Sequence, residues 1–260
     1  FVQDEDFVTA QNVDVLRPKR KMNDIEKWFY CYILRQNRFK FSAFGREVNK
    51  YIQDIEIPDN IPFWVYNMKI KFPQTNNKDV KVNISTKDWK TFNYTDIFNI
   101  RKGFYNKKPS HNINGDIPFL GATEKNNGVT EYYSLEDIEN ASKTGDENNA
   151  PIEDKIFPKN AVCVTNNGSV GYAFYQSTEF TCSHDVNPLY RKDGVEFNPH
   201  TGLFIATVIM EDRYRWTYGR KWRPERMIKS TIKLPVDKQG NPDWNFMENY
   251  IKSLPYGDRI

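Results

Sequence analysis

Arg213 to Lys233 reads RYRWTYGRKWRPERMIKSTIK, and it sets Arg213, Arg215, Arg220, Lys221, Arg223, Arg226 and Lys229 against a single acid, Glu225. Tyr214, Trp216, Tyr218 and Trp222 are threaded between the cations. Basic groups at this density neutralise phosphates, and an arginine can also meet the edge of a guanine with two parallel N–H donors. Gly219 beside Arg220 lets backbone come close to a ligand. The same stretch also suits a solvated helix whose aromatics fill a core and whose charges keep it dissolved. Two tripeptides form a second set, Asn126-Asn127-Gly128 and Asn166-Asn167-Gly168. Both have the composition of tight turns, and an asparagine at a loop tip either pairs with adenine, holds a phosphate, or does no more than make the turn. Lys107, Lys108 and His111 make a third loop, cationic or merely solvated.

Catalytic patterns do not accompany these cations. The chain has no GxGxxG, no phosphate-binding P-loop, no GxSxG elbow and no (N/D)PP(Y/F) tetrapeptide. His111, His184 and His200 stand far apart, which argues against a triad or a zinc set. Pro58-Asp59 and Pro242-Asp243 invite comparison with a PD…(D/E)xK nuclease, but no suitably spaced acid-x-Lys follows either. Cys31, Cys163 and Cys182 lack metal-ligand spacing and read as reduced core thiols, which points to the cytoplasm. A chain that binds rather than catalyses is the expectation, with a nuclease of degraded motif as a distant rival.

The elements that would carry these groups are mixed. WKTFNYTDIFNIRKG, from Trp89 to Gly103, alternates as a strand and turn. Ser134 with Asp137 has the spacing of a capping box that opens a short helix. Ala161 to Val164 and Val170 to Tyr175 flank the second Asn-Asn-Gly as a hairpin. Asn198 caps and Pro199 begins a helix to Glu211, although its β-branched residues leave a strand open. A strand over Ile232 to Val236 and an amphipathic helix over Trp244 to Ser253 complete the unit. The order lacks any βαβ rhythm, which makes the fold α+β. At 260 residues with 38% hydrophobic and 15% aromatic content the chain has enough apolar mass for a sizeable core, which excludes disorder. No apolar run reaches the ~20 residues of a membrane span. Net charge is only +3, so the informative quantity is distribution: acids collect between Glu131 and Asp154, bases after Arg213.

An internal repeat decides the organisation. WFYCYILRQNRFKF (Trp28 to Phe41) and LFIATVIMEDRYRW (Leu203 to Trp216) align without a gap, pairing Phe29 with Phe204, Ile33 with Val208, Arg38 with Arg213 and Phe39 with Tyr214. Gly45-Arg46 then falls on Gly219-Arg220, Pro58 on Pro235 and Trp64 on Trp244. Trp89 to Ala173 has no counterpart. The expected layout is residues 1–68 as the later part of a first unit, 69–87 as a linker with a short strand at Val80 to Ile84, and 88–256 as a complete second unit. Shared positions are expected to be scaffold. Val48 against Trp222 or Arg223 differs and is expected to read different ligand halves, and the shared Arg46 and Arg220 are expected to contact the same kind of ligand.

In order along the chain, Trp89…Asp96-Ile97-Phe98…Gly103, IPFLGATEKNNGV, CVTNNGSVGYAFYQ, TCSHDVNPL, YRWTYGRKW and STIKLPVDKQGNPDWNFMENYIKSL resemble a target recognition domain. Such domains belong to the specificity subunits of type I restriction–modification systems, and this one is most similar in flavour to the type IIB/IIG enzymes. The resemblance covers about residues 85–256 and, in part, 1–68. It implies an α+β module with a twisted mixed sheet and short helices, which reads half of a bipartite double-stranded DNA target. It also implies a methyltransferase and a nuclease, as partner subunits or fused domains, with S-adenosylmethionine and magnesium held there rather than in this chain. Type I subunits join their two domains by long helices. Residues 69–87, with Pro73 and no heptads, depart from that, which favours the type IIB/IIG arrangement. The rival from another class is a protein-binding scaffold that kept the fold and lost DNA reading.

Overall fold

Asn23 fixes where the first helix begins. Its side chain accepts from the Glu26 N–H at 2.9 Å, and the Glu26 carboxylate accepts from the Asn23 N–H at 2.8 Å. This reciprocal box starts α1, Asp24–Gln36. The computed structural model describes residues 2–3, 6–11, 13–38, 48–68, 84–110, 115–146, 149–217 and 219–260. They fall into two compact units, Phe1–Phe72 and Pro73–Ile260. In the first, Glu26 also accepts from Arg20 at 3.0 Å and from the Tyr66 hydroxyl at 3.2 Å. The Asn23 N–H, helped by Arg20 and Tyr66, holds its carboxyl below the usual glutamate range against the opposing effect of burial. Tyr66 ends the short helix α2, Phe63–Tyr66, whose Val65 is buried.

The second unit opens with β1, Lys90–Asn93, a helical turn α3, Tyr94–Ile97, and β2, Phe98–Ile100. After these come β3, Ile117–Leu120, β4, Val129–Tyr133, and the short helices α4, Leu135–Asn140, and α5, Ile152–Lys155. Strands β5, Ala161–Thr165, β6, Ala173–Gln176, β7, Thr181–Cys182, and β8, Val186–Arg191, follow. The chain closes with α6, Pro199–Glu211, α7, Pro224–Met227, β9, Thr231–Leu234, and α8, Trp244–Ser253. Helices and mostly antiparallel sheets combine as the α+β class requires.

The largest sheet runs β2-β8-β5-β6, all antiparallel, with Val162 opposite Leu189 on one side and Tyr175 on the other. Every residue of β5 is buried, as its unbroken AVCVT run demands of a central strand. A mixed sheet runs β4-β3-β7, where β3 is antiparallel to β4 and parallel to β7. β1 and β9 form a separate antiparallel pair. Helix α6 buries Phe204, Ile205, Ala206 and Ile209 in one core with Val162, Val164 and Tyr175. Gly202 sets its seat: a Cβ there would lie 2.2 Å from Tyr175 Cδ2, so only glycine lets the helix lie this close to β6. On its other flank Phe204 meets Phe246 and Tyr250 of α8 edge-on.

Several sequence expectations shift. The strand read over 89–103 is two strands in different sheets joined by α3. The switch is fixed by the Tyr94 N–H donating to Ser230 O at 3.0 Å and by Asn93 holding Asp96. β9 stops before Pro235, which cannot donate to a ladder. The expected strand at Val80 to Ile84 and most of the 69–87 linker lie outside the described residues. The Ser134 box is present, and so is the 161–176 hairpin. Cys163 and Cys182 are buried free thiols pushed upward in pKa by that burial, and Cys31 is half-buried and free. No described helix is long and apolar enough to cross a membrane. The repeat is also one of structure: α1 and α6 each hold 13 residues and each starts behind an asparagine in a capping box, Asn23 and Asn198.

One buried cation had no sequence signal. Lys155 donates to the carbonyls of Ile138, Glu139 and Ala141 at 2.9, 2.8 and 2.8 Å and to the Asn149 side chain. It thereby satisfies the carbonyl end of α4, at the expense of a pKa drawn down by desolvation.

Candidate nucleic-acid interface

Beyond Glu211 the helix α6 tightens into a 3-10 turn, Asp212–Arg215, and then runs through Trp216 into a tight turn closed by the Arg220 N–H on Thr217 O at 2.9 Å. Trp216 and Trp222 face inward and stack at 5.0 Å with rings 10° from parallel. Trp222 also meets Tyr94 edge-on, and its indole N–H donates to Ser230 Oγ at 2.9 Å. The two tryptophans therefore fill the core while Arg213, Arg220, Arg223, Arg226 and Lys229 stay exposed and Arg215 and Lys221 are half-buried. Of Trp222 and Arg223, the alternatives expected to read the ligand, Trp222 is corrected to a core residue at 2% exposure, and Arg223 is exposed. Among the segment's described aromatics Tyr214, at 77% exposure, faces solvent.

The cations differ in what they already hold. Arg215 pairs with Asp212 at 3.2 Å, and Arg226 donates to Lys221 O at 2.9 Å. Arg220 lies over the Trp216 ring at 5.4 Å, and Arg213 lies over the Tyr172 ring at 4.4 Å. The second contact brings in the β5–β6 loop. Gly171 in that loop has φ +80°, and a Cβ there would fall 2.8 Å from Arg213 Cβ, so a side chain would drive the loop off the basic segment. Tyr172 in turn donates to Glu124 Oε2 at 2.7 Å, which ties in the loop between β3 and β4. Gly168, 3.3 Å from Ala122 by its absent Cβ, joins the same two loops. Val170, Tyr172, Met210, Glu211, Arg213, Tyr214, Trp216 and Thr217 line an open cleft at this junction.

The two Asn-Asn-Gly turns, alike in sequence, play different parts. Asn126 and Asn127 are exposed, both at φ 53° ahead of Gly128 at 81°. Asn127 donates to Tyr175 O at 3.0 Å while its own carbonyl accepts from Gln176 at 2.8 Å, so the turn is clamped to β6. Asn166 is buried, and its amide donates to His184 O at 3.0 Å and to Asn187 Oδ1 at 2.7 Å. Those bonds hold β5 to β8 and leave the amide spent inside, against the expectation of a loop contact. Asn167 donates to Asp185 at 2.9 Å.

Lys107 and Lys108 belong to another part of the unit. Lys108 pairs with Glu131 at 2.6 Å and lies over Phe119, and Lys107 runs beside Gly145. Arg46 and His111 lie outside the described residues. His184 meets Tyr105 O and Asp185, and His200 meets Gly257 O, so each is engaged by its own neighbours. Among the described residues no group of His, Cys, Asp and Glu could hold a metal ion. Sequence reasoning missed Tyr172 and Glu124. The available signal was the Gly-Tyr pair that closes the 166–172 loop, an aromatic where a turn residue is usual.

The family model for the type I restriction modification DNA specificity domain matches residues 86–255. The type II restriction enzyme specificity subunit S.BcgI of Heyndrickxia coagulans is 31% identical, over 98% of this chain and 74% of that protein. Among solved structures, the type I restriction-modification S subunit of M. genitalium matches with a TM-score of 0.43 at 12% identity, covering 90% of this chain and 50% of its own. The HsdS subunit of Thermoanaerobacter tengcongensis gives 0.43 at 12% identity, covering 70% and 39%. The chain thus spans about three-quarters of the curated relative and half or less of these solved chains.

Proposed function

From the chain's membership of the type I restriction modification DNA specificity domain family, we propose that it selects the DNA sequence on which a restriction–modification enzyme acts. The unit matched by the family reads one half of a bipartite duplex target. Residues 1–68 belong to a first such module, 69–87 to the linker, and 88–256 to the second module. The observation that carries this reading is the exposed row of cations, Arg213, Arg220, Arg223, Arg226 and Lys229, borne by the segment whose Trp216 and Trp222 are stacked in the core. Cations on a rigid base lose little entropy when they meet a phosphate backbone.

Arg220, Lys221, Arg223, Arg226 and Lys229 neutralise phosphates, with Arg215 in support through its ion pair. Asn126 and Asn127 approach the duplex from the β3–β4 turn, and Asn167 from the neighbouring loop. Asn166 is scaffold. Lys107 and Lys108 make an outlying contact, and Arg46 serves the first module. Methyl transfer and strand cleavage belong to a methyltransferase and a nuclease that use S-adenosylmethionine and magnesium, arranged as in type IIB/IIG enzymes. Exchanging residues 89–256 for the matching segment of a relative and mapping methylated sites in the assembled enzyme tests the reading. Half of the target sequence should change, and an unchanged site would refute it. In parallel, five phosphate contacts give a slope of log affinity against log salt of about −4 to −5.

A further inference from the structure

Arg213 differs from Arg215 and Arg226 in the setting of its guanidinium, and from Arg220 in lying on a ring supplied by another loop. It lies 4.4 Å over Tyr172 and has no hydrogen-bond or ion-pair partner among the described residues, whereas Arg215 and Arg226 have theirs. Its shelf is fixed from two sides. Tyr172 is anchored through its hydroxyl on Glu124 at 2.7 Å, and the loop that carries it is pinned by Asn166 on Asn187 and Asn167 on Asp185. Gly171 keeps that loop against Arg213, where any Cβ would intrude.

The charge around it selects the kind of partner. Glu211 lines the same open cleft, and Glu124 stands behind Tyr172. Carboxylates this near repel a phosphate, while a neutral base edge is tolerated. A guanidinium laid over a fixed ring with its N–H donors unspent matches two adjacent acceptors in one plane, and in the major groove O6 and N7 of guanine offer that pair.

Resting on the DNA-specificity reading above, we infer that Arg213 is a specificity-determining residue that reads a guanine in the half-target of this unit, with Tyr172 and Glu124 as its positioning residues. The phosphate contacts are then left to the cations from Arg220 onward.

The test is selection from a randomised duplex library by the full chain with its methyltransferase partner, joined to salt titrations. Wild type should select a half-site with a fixed guanine. Arg213→Ala should lose preference at that one base pair by about 10- to 100-fold, with the other positions and the salt slope kept. Tyr172→Phe retains the ring but drops the Glu124 anchor and should lose part of the preference, whereas Tyr172→Leu should lose it at the same pair. Replacing that guanine with 7-deazaguanine should weaken wild type and leave Arg213→Ala unchanged. If Arg213→Ala instead weakens all sequences alike and lowers the slope by about one, Arg213 is a phosphate contact and the assignment fails while the DNA reading stands. Loss of preference at an A·T pair, or at none, also overturns it. A wild-type protein that selects no motif overturns both.

Discussion

Replacing Trp222 with phenylalanine separates scaffold from reader within the basic segment. Trp222 stacks on Trp216, meets Tyr94 edge-on and donates its indole N–H to Ser230 Oγ. Phenylalanine keeps one ring in place and removes the second ring and the donor. The lost apolar burial costs roughly 2 kcal/mol. The lost hydrogen bond adds about 1 kcal/mol, and no more, because Ser230 still donates to Arg226 O at 2.8 Å. The expected destabilisation is therefore about 3 kcal/mol. It is read as a lower urea midpoint at unchanged slope, together with loss of the exciton signal between the two parallel indoles. Duplex affinity should fall evenly across sequences, since Trp216, which supports Arg220, loses its backing, and base preference should not move. An unchanged midpoint would show that the stacked pair is not part of the core. A shifted base preference at unchanged stability would show that Trp222 meets DNA. Either result refutes the reasoning.

Three further perturbations probe the framework. Asn198→Ala removes the cap on the Thr201 N–H and the bond to Glu248, both at 2.9 Å. It should cost about 1–2 kcal/mol in thermal unfolding, and Asn23→Ala about 1 kcal/mol in the first unit, if the duplicated cap has a duplicated role. Lys155→Met strands the carbonyls of Ile138, Glu139 and Ala141, which should cost roughly 2–4 kcal/mol and speed amide exchange in α4; exchange as slow as wild type would contradict this. Glu26, held below the usual glutamate range chiefly by the Asn23 N–H, stabilises the first unit above that range. The support is lost as pH falls through the lowered folded pKa, so α1 helicity should decline there and Glu26→Gln should flatten the decline.

Legibility followed the locality of the signal. Asn198, Pro199 and Ser134 announced helix starts because a cap is made by residues three apart. Ala161 to Val164 announced one arm of a hairpin because the Asn-Asn-Gly turn beside it is a local signal, whereas its central place in the sheet is set by pairing with the distant β8. The helical turn at Tyr94 was hidden because distant groups impose it, Ser230 through its carbonyl and Trp222 through its ring. Asn126 and Asn166 could not be told apart in sequence, since both precede Asn-Gly. What separates them is Asn187, which offers its side-chain oxygen to one and not the other. The basic segment was legible as a site in its charges. Its aromatics were ambiguous until the fold showed Trp216 and Trp222 inside and Tyr214 outside. Tyr172 escaped notice because its role depends on Glu124 and Arg213, each more than forty residues away.

The matched helices α1 and α6 have a genetic corollary. Each starts behind an asparagine N-cap and runs for 13 residues, so Gln36 and Glu211 stand at equivalent exits. A recombination crossover inside either helix would join the front of one copy to the back of the other without shifting the apolar face by a single position, and a helix tolerates no such shift. The segments downstream, NRFKF after one helix and DRYRW after the other, would change hands as intact cassettes. A single exchange could thus install a whole new set of side chains on an unchanged peg, whereas a succession of point mutations would have to preserve every core contact on the way.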